Sequence, residues 1–322
     1  MADVLSTLQA LDESDLRWSW PDNPVDRGGP KPLPAPEPPQ ADVIGIAEAL
    51  GRYRDGVLRE RHLPRLTVGI SRIDRATRGF QAGELVIVLA RTGSGKTMLA
   101  SGITDHILGQ RPASAVLGVN LEMPTPQLIA RALRGHFRCS EERIEQQVIA
   151  DSLDVEAFCQ RYQNLFFLDR GAVTLDTIVD EAEALQRQLA PTPLDAIVID
   201  HAGLLRSQGR SASAYERATA SAIEAKQLAR RLNTLVILLV QANRAGKQED
   251  EPVPLESARD SGAFEENADF VITLGQIVNI PGQGRPFLKA KLAKNRRGPT
   301  VPVTLSFDTV SLRLAEVEEH RG

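Results

Sequence analysis

The sequence predicts an α/β fold with a mainly parallel sheet and an antiparallel extension at the C-terminal end. Three observations carry that reading. From Leu66 onward, apolar β-rich runs alternate with segments of helical length. The first five runs are near-continuously apolar, as strands covered on both faces must be. The last three follow one another with no helix between them and alternate more strongly, which suits antiparallel pairing.

In chain order, residues 1 to 20 read as a short amphipathic helix closing on Trp18 and Trp20, the two tryptophans of the chain. Eight of the twenty prolines lie between Pro21 and Gln40. Proline lacks the backbone N–H that a helix or ladder needs, so 21–40 is expected to be an extended, largely disordered spacer, and residues 1–40 together a Pro-rich, mostly disordered N-terminal extension. The tryptophans ahead of it serve either as a docking peptide or as aromatics folded back on the body. Residues 41–63 carry Val43, Ile46, Leu50, Tyr53 and Val57 at spacings of 3, 4, 3 and 4, a single apolar seam on one helix that Pro64 stops. Residues 64–322 then hold strands at 84–90, 114–122, 164–169, 195–200, 234–241, 268–275, 287–294 and 301–307. Helices at roughly 97–109, 126–136, 175–189 and 214–232 separate the earlier ones.

Bulk composition narrows the function. A net charge of −4 gives no global basic footprint, so any nucleic-acid contact must come from a local patch or an assembled channel. Cys139 and Cys159 lack metal-ligand spacing and the five histidines are scattered, which argues against zinc and for idle thiols in a reducing cytosol. No apolar run approaches the roughly 20 residues of a membrane span. The N-terminus lacks the order of a signal peptide, so a cytoplasmic protein with no membrane partner is expected.

The chemistry concentrates in "ELVIVLARTGSGKT": a strand, a glycine-bearing turn, then a helix start. This is the context of a phosphate loop, G-x-x-x-x-G-K-[ST], with Ala90 at the first glycine position. Arg91, Thr92, Gly93, Ser94, Gly95, Lys96 and Thr97 would wrap the phosphates of ATP. The Lys96 ammonium would reach the β/γ oxygens, and the Thr97 hydroxyl would ligate Mg²⁺. Asp200 closes the apolar strand "LDAIVID" and would hold the same metal through water. Glu122 closes "AVLGVNLE", where a carboxylate is placed to polarise an attacking water. A basic cluster, Lys291, Lys294, Arg296 and Arg297, abuts a Gly-Pro turn almost two hundred residues downstream. By itself it reads as a solvated hairpin tip.

Taken together, "ARTGSGKT", "NLEMPTPQLIARAL", "AIVIDHAGLL", "LLVQANR", "ARDSGAFEENAD" and "AKNRRGPT" resemble, in order and spacing, the ATPase domain of DnaB-type replicative DNA helicases over about residues 66–310. The resemblance implies a RecA-like P-loop NTPase core working as a homo-oligomeric, hexameric ring. ATP would be hydrolysed at subunit interfaces and single-stranded DNA held in the channel during replication. It assigns Glu122 as catalytic base, Lys96 and Thr97 to phosphates and Mg²⁺, Asp200 to the metal and Gln241 to sensing the γ-phosphate. It assigns Lys294 and Arg296 to the neighbouring subunit's γ-phosphate. Arg259, Asp260 and Gly262 match a channel loop that grips one DNA phosphate per subunit, although a helix-capping loop fits the same residues. In position, 41–63 resembles the linker helix that each subunit lends to its neighbour.

The chain departs from that pattern in places. Only forty Pro-rich residues stand where the family carries a helical domain of about a hundred residues, so the Trp18/Trp20 segment would contact a loader or other replication protein instead. "HAGLL" follows Asp200 where the family has an aromatic and then Leu-Gln-Leu. The loop 206–217, with Arg206, Arg210 and Arg217, fits a DNA-facing or an ordinary surface loop equally. The leading expectation is an ATP-driven helicase moving 5′ to 3′ on single-stranded DNA. A RadA-like recombination ATPase and a non-unwinding regulatory or loader ATPase are the alternatives.

Overall fold

The computed structural model describes residues 45–62, 65–111, 113–170, 173–200, 214–242, 250–254, 264, 266–279 and 285–317. Within them a nine-stranded sheet runs in the order β3-β2-β4-β5-β1-β6-β7-β8-β9. The parallel part comprises β1 (Leu85–Ala90), β2 (Ala115–Asn120), β3 (Leu165–Leu168), β4 (Leu194–Asp200), β5 (Leu235–Gln241) and β6 (Phe270–Asn279). The antiparallel extension is β7 (Pro286–Asn295), β8 (Val301–Asp308) and β9 (Arg313–Glu316), built outward from β6. The expected mixed architecture is therefore present.

Helices cover the sheet because the strands leave apolar side chains on both faces. Leu85, Ile87 and Leu89 of β1 point into one core with α7 (Leu175–Leu189) and α8 (Ala214–Leu232). Val86, Val88 and Ala90 point into the other, against α3 (Lys96–Gln110) and the antiparallel strands. This period-two division explains why β1 reads as an unbroken apolar run. On the second face Phe80 is fully buried and meets Phe270 edge-on, ring centroids 4.9 Å apart. Phe80→Ala should therefore cost about 3–5 kcal/mol, seen as a lower urea midpoint with an unchanged slope.

Three differences from expectation have physical causes. β3 is the sheet's edge strand and three of its four residues are only partly buried, so its apolar run does not mark two covered faces. After α4 (Thr125–Phe137), α5 (Glu141–Ile149) and α6 (Val155–Tyr162) fill the long connection before β3. Each announces itself by its cap: Ser140 Oγ accepts from the Arg143 N–H and Asp154 Oδ1 from the Ala157 N–H. α2 (Ser71–Thr77) is a short helix in which Asp74 accepts the backbone N–H groups of Val68 and Gly69. Burial nonetheless pushes the Asp74 carboxyl above its ordinary range.

α1 (Ile46–His62) stands apart from this pattern. Ile46, Leu50 and Tyr53 are 87%, 64% and 70% exposed, and Val57 is exposed as well. Among the described residues its apolar seam covers nothing. Nor, among them, is any helix long and apolar enough to cross a membrane.

Candidate functional site

β1 ends at Ala90, and the chain turns through Arg91–Gly95 into α3 at Lys96. Gly93 and Gly95 both adopt positive φ, 75° and 79°, which lets the turn curl so that its N–H groups face one side. Ala90 replaces a glycine without strain because it is the last strand residue, in register with Gln241, with φ in the ordinary negative range. The turn leads into a fifteen-residue helix whose first N–H groups lack intrahelical partners, an arrangement suited to anions.

Lys96 is 7% exposed. Burial pushes its ammonium below the ordinary lysine range, and the Asp200 and Glu122 carboxylates pull it back. The Thr97 hydroxyl donates to Asp200 Oδ2 at 2.7 Å, and Asp200 itself is 3% exposed. Strand register explains the meeting: Asp200 closes β4 beside Asn120 of β2, and the Leu121 N–H donates to the Asp200 carbonyl. β2 ends at Asn120, so Glu122 lies two residues past the strand, exposed, where its charge is felt by Lys96.

Thr92 is held from two strands. Gln241 Nε2 donates to its hydroxyl at 2.7 Å, and Gln276 Nε2 of β6 donates to its carbonyl at 3.2 Å. Gln276 was not among the sequence candidates. Its signal was available, a glutamine breaking the apolar run of β6 at the level of the phosphate turn. Ser94 Oγ is buried and has no hydrogen-bond partner among the described residues. A lone buried hydroxyl on a glycine-flexed turn, a buried ammonium and a hydroxyl–carboxylate pair are a donor set that fits a nucleoside polyphosphate with a hard cation. A cavity of about 230 Å³ runs from Thr97 and Asp200 along α3 to Asp105.

The basic cluster lies elsewhere. β7 runs antiparallel to β6, and Asn295 pairs with Phe270 at the start of β6. The Asp269 N–H donates to the carbonyl of Leu85, the first residue of β1, and the Asp269 carboxylate accepts the Leu85 N–H. Lys294 and Arg296 thus sit at the edge of the sheet opposite the phosphate turn, with about 17 Å of β1 between. They do not approach their own protomer's site. Arg297 points inward, its guanidinium 4.9 Å over the Phe270 ring and bonded to Glu84 Oε2 at 3.0 Å. Arg259, Asp260 and Gly262 lie outside the described residues, as do Trp18, Trp20, His201 and most of the 206–217 loop.

Comparison with known proteins bears on the family and the fold. The family model described as the DnaB-like helicase C-terminal domain matches residues 66–316. Curated relatives include the replicative DNA helicase DnaB of Haemophilus influenzae, 27% identical over 80% of this chain and 57% of the relative. The DnaB of Geobacillus stearothermophilus is 29% identical over 77% and 56%, and the replicative helicase DnaC of Bacillus subtilis 30% over 75% and 54%. The chain thus spans about half the length of the curated relatives it matches. Among solved structures, an isolated ATPase domain aligns at a TM-score of 0.71 and 21% identity, covering 86% of this chain and all of that one. A DnaB-like replicative helicase studied with primase aligns at 0.71 and 20%, covering 85% and 71%. These structural likenesses bear on the fold alone.

Proposed function

Because the chain belongs to the DnaB-like helicase C-terminal domain family, we propose that it is an ATP-driven translocase on single-stranded DNA, assembled as a ring. The observation that carries this is the placement of one basic hairpin and one phosphate turn at opposite ends of β1. A protomer so built holds half of two different sites. Copies stacked in one sense would set Lys294 and Arg296 of each against the phosphates bound by the next. Closed repetition of that contact gives a ring, the hexamer being the family's form.

In the assembled site, Arg91–Thr97 would cradle the phosphates through backbone N–H groups, with Lys96 on the β/γ oxygens. Thr97 and Asp200 would hold Mg²⁺, which when bound offsets phosphate charge. Glu122 would accept a proton from the attacking water, and the neighbour's Lys294 and Arg296 would meet the charge that develops on the transferred phosphoryl group. Gln241 and Gln276 both grip Thr92, so occupancy of the turn would be passed to the ends of β5 and β6. Arg259, Asp260 and Gly262 would meet the DNA backbone in the channel.

The exposed seam of α1 suits a ring as well. Ile46, Leu50, Tyr53 and Val57 would lie on a second copy, for which the trough lined by Pro126, Ile129, Leu133 and Ile144 offers apolar surface. We assign 41–63 as the linker between the N-terminal extension, 1–40, and the ATPase domain, 64–322. A loader or replication protein would dock on the extension.

The test is unwinding of duplexes with defined tails, together with the particle mass with and without a non-hydrolysable ATP analogue. ATP-dependent strand separation from a 5′ tail, by a ring-sized particle, is expected. DNA-stimulated hydrolysis with no unwinding from either tail would remove the helicase reading and leave a non-unwinding ATPase.

A further inference from the structure

We propose that Asp269 is the positioning residue for the in-trans cation Arg296, holding its guanidinium in a fixed direction without cancelling its charge. This deepens the proposed function and rests on its reading of Arg296.

Asp269 immediately precedes β6 and is 4% exposed. An isolated buried carboxylate is costly, so its surroundings must compensate. They do so on both oxygens. Oδ2 accepts the Leu85 N–H at 2.8 Å and the Lys226 ammonium at 2.5 Å, and Lys226 also donates to the Gly83 carbonyl at 2.8 Å. Oδ1 accepts from Arg296 NH1 at 2.9 Å. The carboxylate is therefore anchored on the rigid start of β1 and by a lysine from α8, and it presents its remaining oxygen to the hairpin.

The backbone around it fastens the same hairpin. The Arg296 N–H donates to the Asp269 carbonyl at 3.2 Å, and Lys294 Nζ donates to the Ala268 carbonyl at 2.7 Å. Both proposed in-trans cations are thus registered against two consecutive residues, Ala268 and Asp269. Holding a cation in place is useful only if it stays a cation. Two negative charges, Asp269 and Glu84, lie among three positive ones, Lys226, Arg296 and Arg297, so the cluster keeps a net positive charge. The Arg296 side chain remains 49% exposed, and its NH1 alone is engaged by Asp269, leaving Nε and NH2 for an outside anion. The Lys226 ammonium compensates the buried carboxylate without drawing on Arg296. Lys226 is what makes the arrangement a mount.

A misplacement of about 1 Å at a reacting centre can cost roughly a hundredfold in rate. Asp269→Asn keeps the shape and an acceptor for Leu85 but weakens the hold on Arg296. It should lower kcat of the assembled protein about 10- to 100-fold, with KM for ATP and particle mass unchanged. The decisive measurement mixes subunits. Asp269→Asn protein combined with Lys96→Ala protein should regain hydrolysis above either alone. Some interfaces would then pair an intact phosphate turn from the first with an intact hairpin from the second. Arg296→Ala mixed with Lys96→Ala is the control for the underlying reading. If the control recovers and the Asp269→Asn mixture does not, Asp269 is merely structural and the proposal fails while the in-trans reading stands. If neither recovers, the in-trans reading itself fails. A wild-type kcat for Asp269→Asn also overturns the proposal. Should Asp269→Asn prove poorly folded, Asp269→Glu keeps the charge and displaces the carboxylate by one methylene. The same drop in kcat and the same recovery on mixing are expected of it, and their absence rejects the assignment.

Discussion

Arg296→Ala should lower the turnover of the assembled protein by about 10³-fold or more, the range typical of a cation supplied in trans to phosphoryl transfer. Nucleotide affinity should stay within about twofold, since on the proposed reading the contact would form fully only as charge develops in the transition state. The expectation follows from placement. Arg296 is half-exposed at the edge of the sheet remote from its own phosphate turn, so its loss leaves Lys96, Thr97 and Asp200 untouched. Lys294→Ala should behave alike, with the added loss of its bond to the Ala268 carbonyl. Steady-state hydrolysis beside equilibrium binding of a fluorescent nucleotide checks both variants. A loss of binding equal to the loss of rate would contradict the role, because it would place these cations in ground-state capture.

Glu122→Gln is the second large effect. The amide keeps size and hydrogen bonding but cannot take a proton, so a general base lost here should cost about 10²- to 10⁴-fold in hydrolysis. Glu122 is exposed on the turn after β2, close enough for Lys96 to feel its charge, while Asp200 is buried against Thr97. On the proposed reading the two carboxylates would therefore have separable tasks. Asp200→Asn should weaken the metal-dependent part of nucleotide binding, and Glu122→Gln should leave binding intact and trap the bound nucleotide unhydrolysed. Single-turnover hydrolysis separates the cases. An unchanged rate in Glu122→Gln would mean that another group orients the water.

Much of this was legible in the chain because the determinants are local. Near-continuous apolar runs bounded by helical periodicity announced β1, β2, β4 and β5, and the spacing Gly93, Gly95, Lys96, Thr97 announced the turn. What was hidden depends on register. Nothing local says that β1 lies between β5 and β6, yet that order brings Gln241 and Gln276 together on Thr92. The basic cluster reads as one charge run, but the structure divides it: Arg297 goes under the hairpin onto Phe270 while Arg296 stays at the surface on Asp269. In the sequence Asp269 is only the second residue of the 268–275 run. Only pairing across nearly two hundred positions reveals that its carboxylate meets Leu85, Lys226 and Arg296 at once.

The span of β1 between hairpin and phosphate turn has one more consequence. A polar object made of such halves always ends in two unlike faces unless it bites its own tail. A lock-washer or cracked arrangement of these protomers would carry a single dormant chamber at the breach, loaded with fuel but lacking the partner that ignites it. If the proposed ring opened to admit a DNA strand, the gap would announce itself as one missing turnover per circuit rather than as general slowness.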